Sequence, residues 1–185
     1  MAGNDSASVP VGTLGSLRKP SGLEHLGPDI SLRLAPFTEA EARTVVGWWY
    51  EPPYDFYNGN EAEIPVFLDP VNRYYAVHVG GDLVGYVCVG LDARVQGQEA
   101  EAGVDDIGWG FRPDLTGRGI ASRWIPEALG RMTGELRQAR QRVVIIDWNK
   151  RSQAAAERLG FQQTGMHHND VGAWVVMTRA NPAWD

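Results

Sequence analysis

Cysteine is nearly absent from this sequence. The chain has 185 residues and a single cysteine, Cys88, so neither an intramolecular disulfide nor a cysteine-based metal site can form. Cys88 lies in an apolar run, which favours a small core residue over a nucleophile. The four histidines are scattered at positions 25, 78, 167 and 168, and the adjacent pair would point to opposite faces of a strand. We therefore expect no metal site.

Clusters of basic residues and long apolar runs are missing too. The formal net charge is −6 and no segment is rich in Lys or Arg, which argues against nucleic acid or an anionic membrane surface as a partner. No apolar run reaches the roughly 18 residues that a membrane-spanning helix needs, and the N-terminus shows no basic segment followed by an apolar one. These features predict a soluble, cytoplasmic protein, and the acidic balance suits a cationic or amine ligand.

Length and composition indicate one globular domain preceded by a tail. Hydrophobic residues make up 43% of the chain and charged residues 22%, which is ordinary for a domain with its own core. Residues 1–29 are rich in Gly, Ser and Pro and lack periodicity, so we expect a flexible N-terminal tail. The patterned remainder predicts a domain over residues 30–185. Part of the tail could pack on a neighbouring subunit, so a homodimer is a possible state.

Hydrophobic periodicity predicts strands that alternate with helices. Thr38 followed by Glu41 is a capping-box pair that opens the first helix, and Gly80-Gly81-Asp82 between two β-branched runs indicates a hairpin. The predicted strands cover residues 30–34, 74–79, 83–89, 105–111, 142–148, 161–165 and 173–178. The predicted helices begin at Thr38, near 61, after Gly119 and at Ser152. This order predicts an α/β fold with a mixed sheet of six to seven strands and about four helices.

The strongest signal is a strand followed by a glycine turn and a helix. Ile107, Trp109 and Phe111 alternate with small residues, which predicts one bulky face and one face that other groups can approach closely. Gly117 and Gly119 then permit a tight turn before the helical pattern begins. The first N–H groups of a helix have no internal partner and carry partial positive charge. The turn therefore suits a phosphate, although glycine also serves a plain strand-to-helix connection.

Thr116 to Ala121 resembles the acetyl-CoA pyrophosphate loop of the GNAT N-acetyltransferase superfamily, whose pattern is Gln/Arg-x-x-Gly-x-Gly/Ala. Gly119 and Ala121 fill the last two defined positions, and Thr116 stands where Gln or Arg is usual. A second block, Asn149 to Phe161, resembles the Asn-x-x-(small)…Leu-Gly-Phe segment of the same family, in the same order and spacing. The resemblance covers residues 30 to 180. It implies the GNAT fold, with a mostly antiparallel central sheet, and an acetyl-CoA-dependent N-acetyltransferase without a metal.

The resemblance also implies which residues contact acetyl-CoA. Main-chain N–H groups of the glycine turn would bind the phosphates. The main chain of the central strand would pair with the pantetheine arm like an added strand, and Asn149 would hydrogen-bond that arm. The implied cofactor-binding residues are Trp109, Phe111, Thr116, Gly117, Arg118, Gly119, Ile120, Ala121 and Asn149.

Acetyl transfer to an amine requires a base and a proton donor for the leaving thiolate. Asp105 falls where relatives place a catalytic glutamate, so we predict Asp105 or Asp106 as the base; the alternative is that both are solvated at the end of a loop. Relatives commonly protonate the thiolate with a tyrosine, and Ala156 occupies that position here. Ser152, a water or one of the two adjacent histidines is then the candidate acid.

Aromatic and acidic side chains interleave in the Pro-containing segment 48–59. We predict Trp49, Tyr54, Asp55 and Tyr57 as substrate-binding residues, because aromatic faces and a carboxylate can hold a cationic amine. The alternative is that these rings simply pack under a loop. The polar stretch 92–104 is expected to be a solvated loop or a lid over the acceptor.

The function implied by the resemblance is acetyl transfer to the primary amine of a small molecule, by direct attack in a ternary complex. An aminoglycoside or a polyamine-like cation is a plausible class of acceptor. Two alternatives remain open, namely acetylation of a protein or peptide N-terminus and a non-catalytic sensor that binds acyl-CoA. The sequence does not distinguish them, because acceptor pockets are built from loops that vary within one fold.

Overall fold

The computed structural model describes residues 31–182, so the predicted tail over residues 1–29 lies outside it. The strands are β1 (Leu32–Pro36), β2 (Tyr74–Val79), β3 (Asp82–Val89), β4 (Val104–Phe111), β5 (Arg140–Ile146), β6 (Gln162–Asn169) and β7 (Gly172–Ala180). The helices are α1 (Glu39–Val46), α2 (Ile64–Leu68), α3 (Ala121–Arg131) and α4 (Lys150–Arg158). The predicted mixed α/β fold is thereby confirmed.

All seven strands form one sheet in the order β1-β2-β3-β4-β5-β7-β6. The β4–β5 pair is parallel, whereas the other neighbouring pairs are antiparallel. A parallel pair needs a long crossover, and here α3 supplies it. The parallel pair therefore lies in the middle of the sheet, with the glycine turn in the connection that follows β4.

Different helices cover the two faces of the sheet. Alternate residues of β2 belong to different cores, with Val77 in the larger cluster and Ala76 in the smaller one. The larger cluster contains buried residues of α3 and α4, including Ile125 and Ala156. The smaller cluster contains residues of α1 and α2, including Phe67. The central strands are thus buried on both sides.

The capping box predicted for α1 is present and is tied to the sheet. Glu41 Oε2 accepts a hydrogen bond from Thr38 N at 2.8 Å, and Glu41 N donates to Thr38 Oγ1 at 3.3 Å. The other carboxylate oxygen of Glu41 lies 2.6 Å from Nε2 of the buried His78 on β2. Burial alone would raise the pKa of Glu41, but the hydrogen bonds from Thr38 and His78 hold it below its usual value. This carboxylate therefore caps the helix and anchors it.

The C-terminal hairpin is longer than predicted. The segment His167-His168-Asn169 was expected to lie between two strands, but it belongs to β6, and the turn lies at Asp170 and Val171. Strand β6 is at the edge of the sheet, so none of its residues is fully buried and its sequence is polar. An edge strand of this kind lacks the apolar alternation by which strands are recognised.

Candidate active site

Strands β4 and β5 pair only at their beginnings and then diverge. Their register runs from Val104 opposite Arg140 to Asp106 opposite Arg142. Beyond Asp106, the strand β4 remains paired with β3 as far as Phe111, while β5 continues beside β7. The divergence opens a gap between two otherwise adjacent strands in the centre of the sheet.

The backbone of β4 presents hydrogen-bonding groups to this gap. Gly90 N donates to Asp106 O at 2.9 Å, which makes Asp106 one of the β4 residues bonded to β3. Bonded and non-bonded residues alternate in an antiparallel pair, so Trp109 and Phe111 direct their amide and carbonyl groups away from β3. Tyr50 Oη donates to Phe111 O at 2.7 Å at the far end. This is the edge that the resemblance assigns to the pantetheine arm.

The glycine turn after β4 leaves open space in front of the first residues of α3. Gly117 and Gly119 both have a φ of 74°, a left-handed conformation that favours glycine. A Cβ added at Gly119 would meet no atom within 4 Å, and no side chain caps α3. Unpartnered N–H groups at the beginning of a helix bind anions. The turn therefore has the geometry and polarity that a pyrophosphate requires.

One cavity of about 700 Å³ includes both the gap and the glycine turn. Its volume falls within the range of roughly 300–1,000 Å³ that is usual for small-molecule sites. Of the nine cofactor-binding residues predicted, all except Arg118 line it. Ser152, the predicted catalytic residue of α4, also lines the cavity.

Helix α4 makes the turn end of the cavity cationic. Lys150, Arg151 and Arg158 all line the cavity. The guanidinium of Arg151 lies 4.2 Å from the centre of the Tyr54 ring and 3.9 Å from where a Cβ of Gly117 would be. Cationic side chains beside a helix N-terminus suit a polyphosphate. These residues fit the phosphates of acetyl-CoA.

Tyrosine rings form another part of the cavity wall. The aromatic side chains that line the cavity include Tyr50, Tyr54, Tyr57, Tyr74, Tyr86 and Trp174. Tyr54 and Tyr57 lie at the two ends of the 3-10 helix Tyr54–Tyr57, and residues three apart share one side of such a helix.

Two predicted substrate-binding residues lie outside this wall. Asp55 lies between Tyr54 and Tyr57 on the 3-10 turn, so it faces elsewhere, is exposed and does not line the cavity. The neighbouring Trp48 is buried and its ring lies 6.4 Å from that of Tyr86. Trp49 is consequently 69% exposed and does not line the cavity. Of the four residues predicted from this segment, the structure therefore brings two to the cavity.

Tyr57 connects the aromatic wall to the cofactor side. Asn149 Nδ2 donates to the Tyr57 hydroxyl at 2.8 Å, while Asn149 Oδ1 accepts from Ser152 N at 3.1 Å. Burial raises the pKa of Tyr57 more than the Asn149 contact lowers it, so its hydroxyl keeps its proton at neutral pH. Ala156, at the position of the usual tyrosine, is completely buried and does not line the cavity.

The structure gives both predicted bases other partners. Asp105 Oδ2 accepts a hydrogen bond from Gln138 N at 2.9 Å. Asp106 is 3% exposed and contacts Arg142 Nε at 2.6 Å and Arg94 Nη1 at 3.2 Å. Neither carboxylate lines the cavity. The geometry therefore does not support the predicted role of Asp105 or Asp106 as the base, because each stabilises the backbone or a buried ion pair.

We expect the Arg142→Met substitution to destabilise the fold strongly. Arg142 is 7% exposed and is the closer of the two guanidinium partners of Asp106. Its removal leaves a buried carboxylate that is only partly compensated, which typically costs about 3–5 kcal/mol. Urea unfolding measures the loss. Arg140→Met is the control, because Arg140 pairs with Glu101 at a side-chain exposure of 50% and should change stability by less than about 1 kcal/mol. Equal losses in the two variants would contradict this assignment.

The carboxylate that does line the cavity is Asp92, which sequence reasoning missed. It lies in the 3-10 turn Leu91–Ala93 after β3, and its Oδ2 accepts a short hydrogen bond from the Tyr74 hydroxyl. Burial and this carboxylate both raise the pKa of Tyr74, so the tyrosine donates. Among the described residues, Asp92 is the one carboxylate in the cavity lining.

A glycine in β4 lets the Asp92 turn lie close to the sheet. A Cβ at Gly108 would be 2.7 Å from Cys88 Sγ and 3.6 Å from Ala93 Cα. Glycine in a strand often marks such a close approach. The sequence therefore contained a signal, namely the small residues of β4, but it did not show which segment approaches them.

Two strands diverge beside a glycine turn, cationic side chains lie near that turn, and a carboxylate lies among aromatic rings elsewhere in the same cavity. This arrangement defines a class of protein that transfers an acyl group from acyl-CoA to an acceptor. The family model described as acetyltransferase (GNAT) domain matches residues 31–162. The chain belongs to the GNAT family and is an acetyl-CoA-dependent acetyltransferase. No curated protein matches the chain.

Solved structures of acetyltransferases share the fold. Aminoglycoside acetyltransferase AAC(6')-Ib in complex with coenzyme A has a TM-score of 0.65 at 17% identity, covering 83% of this chain and 97% of that chain. Ribosomal-protein-S5-alanine acetyltransferase from Vibrio fischeri has a TM-score of 0.57 at 14% identity, covering 83% and 95%. A chimera of spermidine N-acetyltransferase SpeG from Vibrio cholerae and hSSAT has a TM-score of 0.57 at 16% identity, covering 80% and 95%.

Residues 31–182 contain neither a membrane-spanning helix nor a cluster of metal-ligating side chains. No helix in this part of the chain combines the length and the apolar character needed to cross a membrane. The same residues contain no group of three or more His, Cys, Asp or Glu side chains placed to hold a metal ion.

Proposed function

We propose that the protein transfers the acetyl group of acetyl-CoA to a primary amine of a small molecule, by direct attack in a ternary complex. The observation that carries this proposal is a single cavity that contains the glycine turn at one end and Asp92 among tyrosine rings at the other. A carboxylate and aromatic faces attract an ammonium group. Solved structures of the same fold include AAC(6')-Ib with ribostamycin and coenzyme A, which adds support for a small-molecule acceptor.

In this proposal the glycine turn and α4 hold the donor. The N–H groups of Gly119, Ile120 and Ala121 bind the pyrophosphate, with Arg151 beside them. The outward-facing amide and carbonyl groups of β4 pair with the pantetheine arm. Amides of the same edge are also available to stabilise the oxyanion that forms when the amine attacks the thioester carbonyl.

Asp92 and Tyr57 manage the protons. Asp92 accepts a proton from the bound ammonium group, directly or through a water, and Tyr74 keeps the carboxylate in position. The free amine forms the new C–N bond and the C–S bond breaks, and the nitrogen loses its second proton to water, from which Tyr57 later regains a proton. Tyr57, which accepts from Asn149 and still holds its own proton, donates that proton to the leaving thiolate. Tyr57 thus takes the role of the tyrosine that relatives have at the position of Ala156.

Direct attack is favoured over a cysteine intermediate. Cys88 is the one cysteine of the chain and it lines the cavity. Burial raises its pKa to about 12, so the reactive thiolate is scarce at neutral pH. An acetylated cysteine is therefore a poor route, and the acceptor amine attacks the thioester itself.

The release of coenzyme A thiol with a panel of acceptors tests the proposal. The panel contains small primary amines and short peptides with free N-termini, and both substrates are varied in turn. We expect turnover with small amines and intersecting double-reciprocal lines, as a ternary complex requires. Turnover confined to peptides would favour the N-terminal acetyltransferase alternative, and parallel lines would indicate a covalent intermediate.

We expect Tyr57→Phe to lower kcat about tenfold with little change in the KM for the acceptor. The effect is smaller than the roughly 10²–10⁴-fold that one positioned acid usually contributes, because thiols with a pKa of about 8.5 leave readily. Steady-state kinetics provide the measurement, and Tyr54→Phe is the matched control, since Tyr54 belongs to the same wall but makes no hydrogen bond to Asn149 within residues 31–182. A change confined to the KM for the acceptor would make Tyr57 part of the wall and not the acid.

A further inference from the structure

The acceptor end of the cavity is lined by one anion and one cation. Asp92 is the anion, and Arg94, two residues further along the same loop, is the cation. The other cationic side chains of the lining, Lys150, Arg151 and Arg158, belong to α4 at the cofactor end. An acceptor bound next to Asp92 therefore meets opposite charges on the two sides of Ala93.

Arg94 belongs to a cluster in which positive charge is in excess. Asp106 contacts Arg142 Nε at 2.6 Å and Arg94 Nη1 at 3.2 Å. Glu101 contacts both Arg140 and Arg142. The cluster thus contains three guanidinium groups and two carboxylates. Arg142, with the shorter contact, already compensates Asp106, so the charge of Arg94 is the one left over.

The donors of Arg94 are mostly unused. Its contact with Asp106 engages Nη1, and within residues 31–182 its Nε and Nη2 have no hydrogen-bond partner. The side chain is 17% exposed, and none of its nitrogen atoms is among the buried atoms without a partner. The unused donors are therefore accessible to solvent, and Arg94 is one of the residues that line the cavity. A guanidinium has five donors in a planar fork that matches a carboxylate.

Arg94 is not needed to hold the loop in place. His167 Nε2 donates to Gln96 O at 2.9 Å, and Asn169 Nδ2 donates to the same oxygen at 3.1 Å. Arg142 Nη2 donates to Glu99 O at 2.8 Å. These contacts fix the loop to β5 and β6 independently of Arg94.

From these contacts we infer that the acceptor is an amino carboxylic acid whose ammonium group binds Asp92 and whose carboxylate binds Arg94. The tyrosine wall receives the body of the molecule, so an aromatic or apolar side chain fits best. A polycation fits poorly, because a single carboxylate lines the cavity in the described part of the chain. The inference rests on the proposed function and narrows its substrate class to zwitterions.

A matched pair of acceptors tests it, namely phenylalanine and phenethylamine, which lacks the carboxylate. Wild-type protein is expected to prefer phenylalanine by at least tenfold in kcat/KM. Arg94→Gln should lower kcat/KM for phenylalanine by about 10- to 100-fold, as loss of hydrogen bonds to a charged group predicts, and leave phenethylamine within about threefold. Arg94→Lys, which keeps the charge, should restore part of the preference. Arg140→Gln, in the same cluster but outside the cavity, should leave both acceptors unchanged.

Each result decides the question. A wild-type preference for phenethylamine, or an equal loss of both activities in Arg94→Gln, would overturn the inference, and the equal loss would make Arg94 structural. If neither compound releases thiol, calorimetry of phenylalanine binding to the complex of protein and coenzyme A replaces the rate. Binding that Arg94→Gln weakens would support the zwitterion site while the proposed acetylation fails, and absence of binding to the wild-type protein would overturn the site as well.

Discussion

Gly119→Glu is expected to abolish the binding of acetyl-CoA. The residue has a φ of 74° and faces open space in front of α3, so a side chain there would be strained and would occupy the place of the pyrophosphate. A carboxylate would also repel the phosphates and neutralise the partial positive charge of the helix. Loss of two charge-assisted hydrogen bonds alone would weaken binding by more than about 100-fold.

Calorimetry with acetyl-CoA measures this loss, and circular dichroism shows whether the variant folds. Gly130→Glu is the matched control, because it adds the same charge to the same helix near its other end, where an added Cβ meets no atom within 4 Å. The control should bind as the wild-type protein does. Unchanged affinity in folded Gly119→Glu would mean that the turn is not the phosphate site.

Asp92→Asn is expected to lower kcat/KM by about 10²–10⁴-fold at pH 7, the usual contribution of one positioned base. An amide keeps the size of the side chain but cannot accept a proton from the bound ammonium group. The deficit should shrink as the pH approaches the pKa of the acceptor amine, because the amine then arrives already deprotonated. Tyr74 still has an oxygen to which it can donate, so the fold should be retained.

The pH–rate profile distinguishes Asp92 from Asp105 as the base. Asp105→Asn should leave the shape of the profile unchanged, because Asp105 accepts a backbone hydrogen bond from Gln138 outside the cavity. Asp82→Asn, at the exposed beginning of β3, is a control for the loss of one negative charge. A pH-dependent loss in Asp105→Asn with a normal profile in Asp92→Asn would reverse the assignment and restore the prediction made from sequence.

The fold was predictable where local chemistry decides it. The capping box of Thr38 and Glu41 marked the beginning of α1, and the two glycines before Asp82 marked a hairpin. The predicted strand was shorter than β6. An edge strand pairs with one neighbour only and can be polar, so its sequence resembles that of a loop. Its pairing with β7 depends on the buried partner strand, which is a tertiary effect.

Sequence reasoning named most of the cavity-lining residues at the glycine turn, but only some of those at the other end of the cavity. A glycine turn and the strand before it are contiguous in sequence, so Gly119 and Trp109 were assigned from one stretch. The other end is assembled from separate segments, of which sequence reasoning named the one that contributes Tyr57 and missed the one that contributes Asp92. The sequence shows that bulky and small residues alternate along β4, but it does not show which side of the strand faces the acceptor. Sequence reasoning therefore predicted a carboxylate of β4 as the base, whereas our proposal assigns the base to Asp92.

The contact between Gln96 and β6 has a consequence for protein engineering. The carbonyl of Gln96 is held by His167 and Asn169 of the edge strand, and the imidazole of His167 lies 3.7 Å from where a Cβ of Gly97 would be. The loop over residues 92–104 and the C-terminal hairpin therefore support each other and should be exchanged together. If residues 92–104 alone were replaced by those of a homologue, the new loop would lack the β6 side chains that hold it. An exchange intended to change the acceptor should therefore include the hairpin as well.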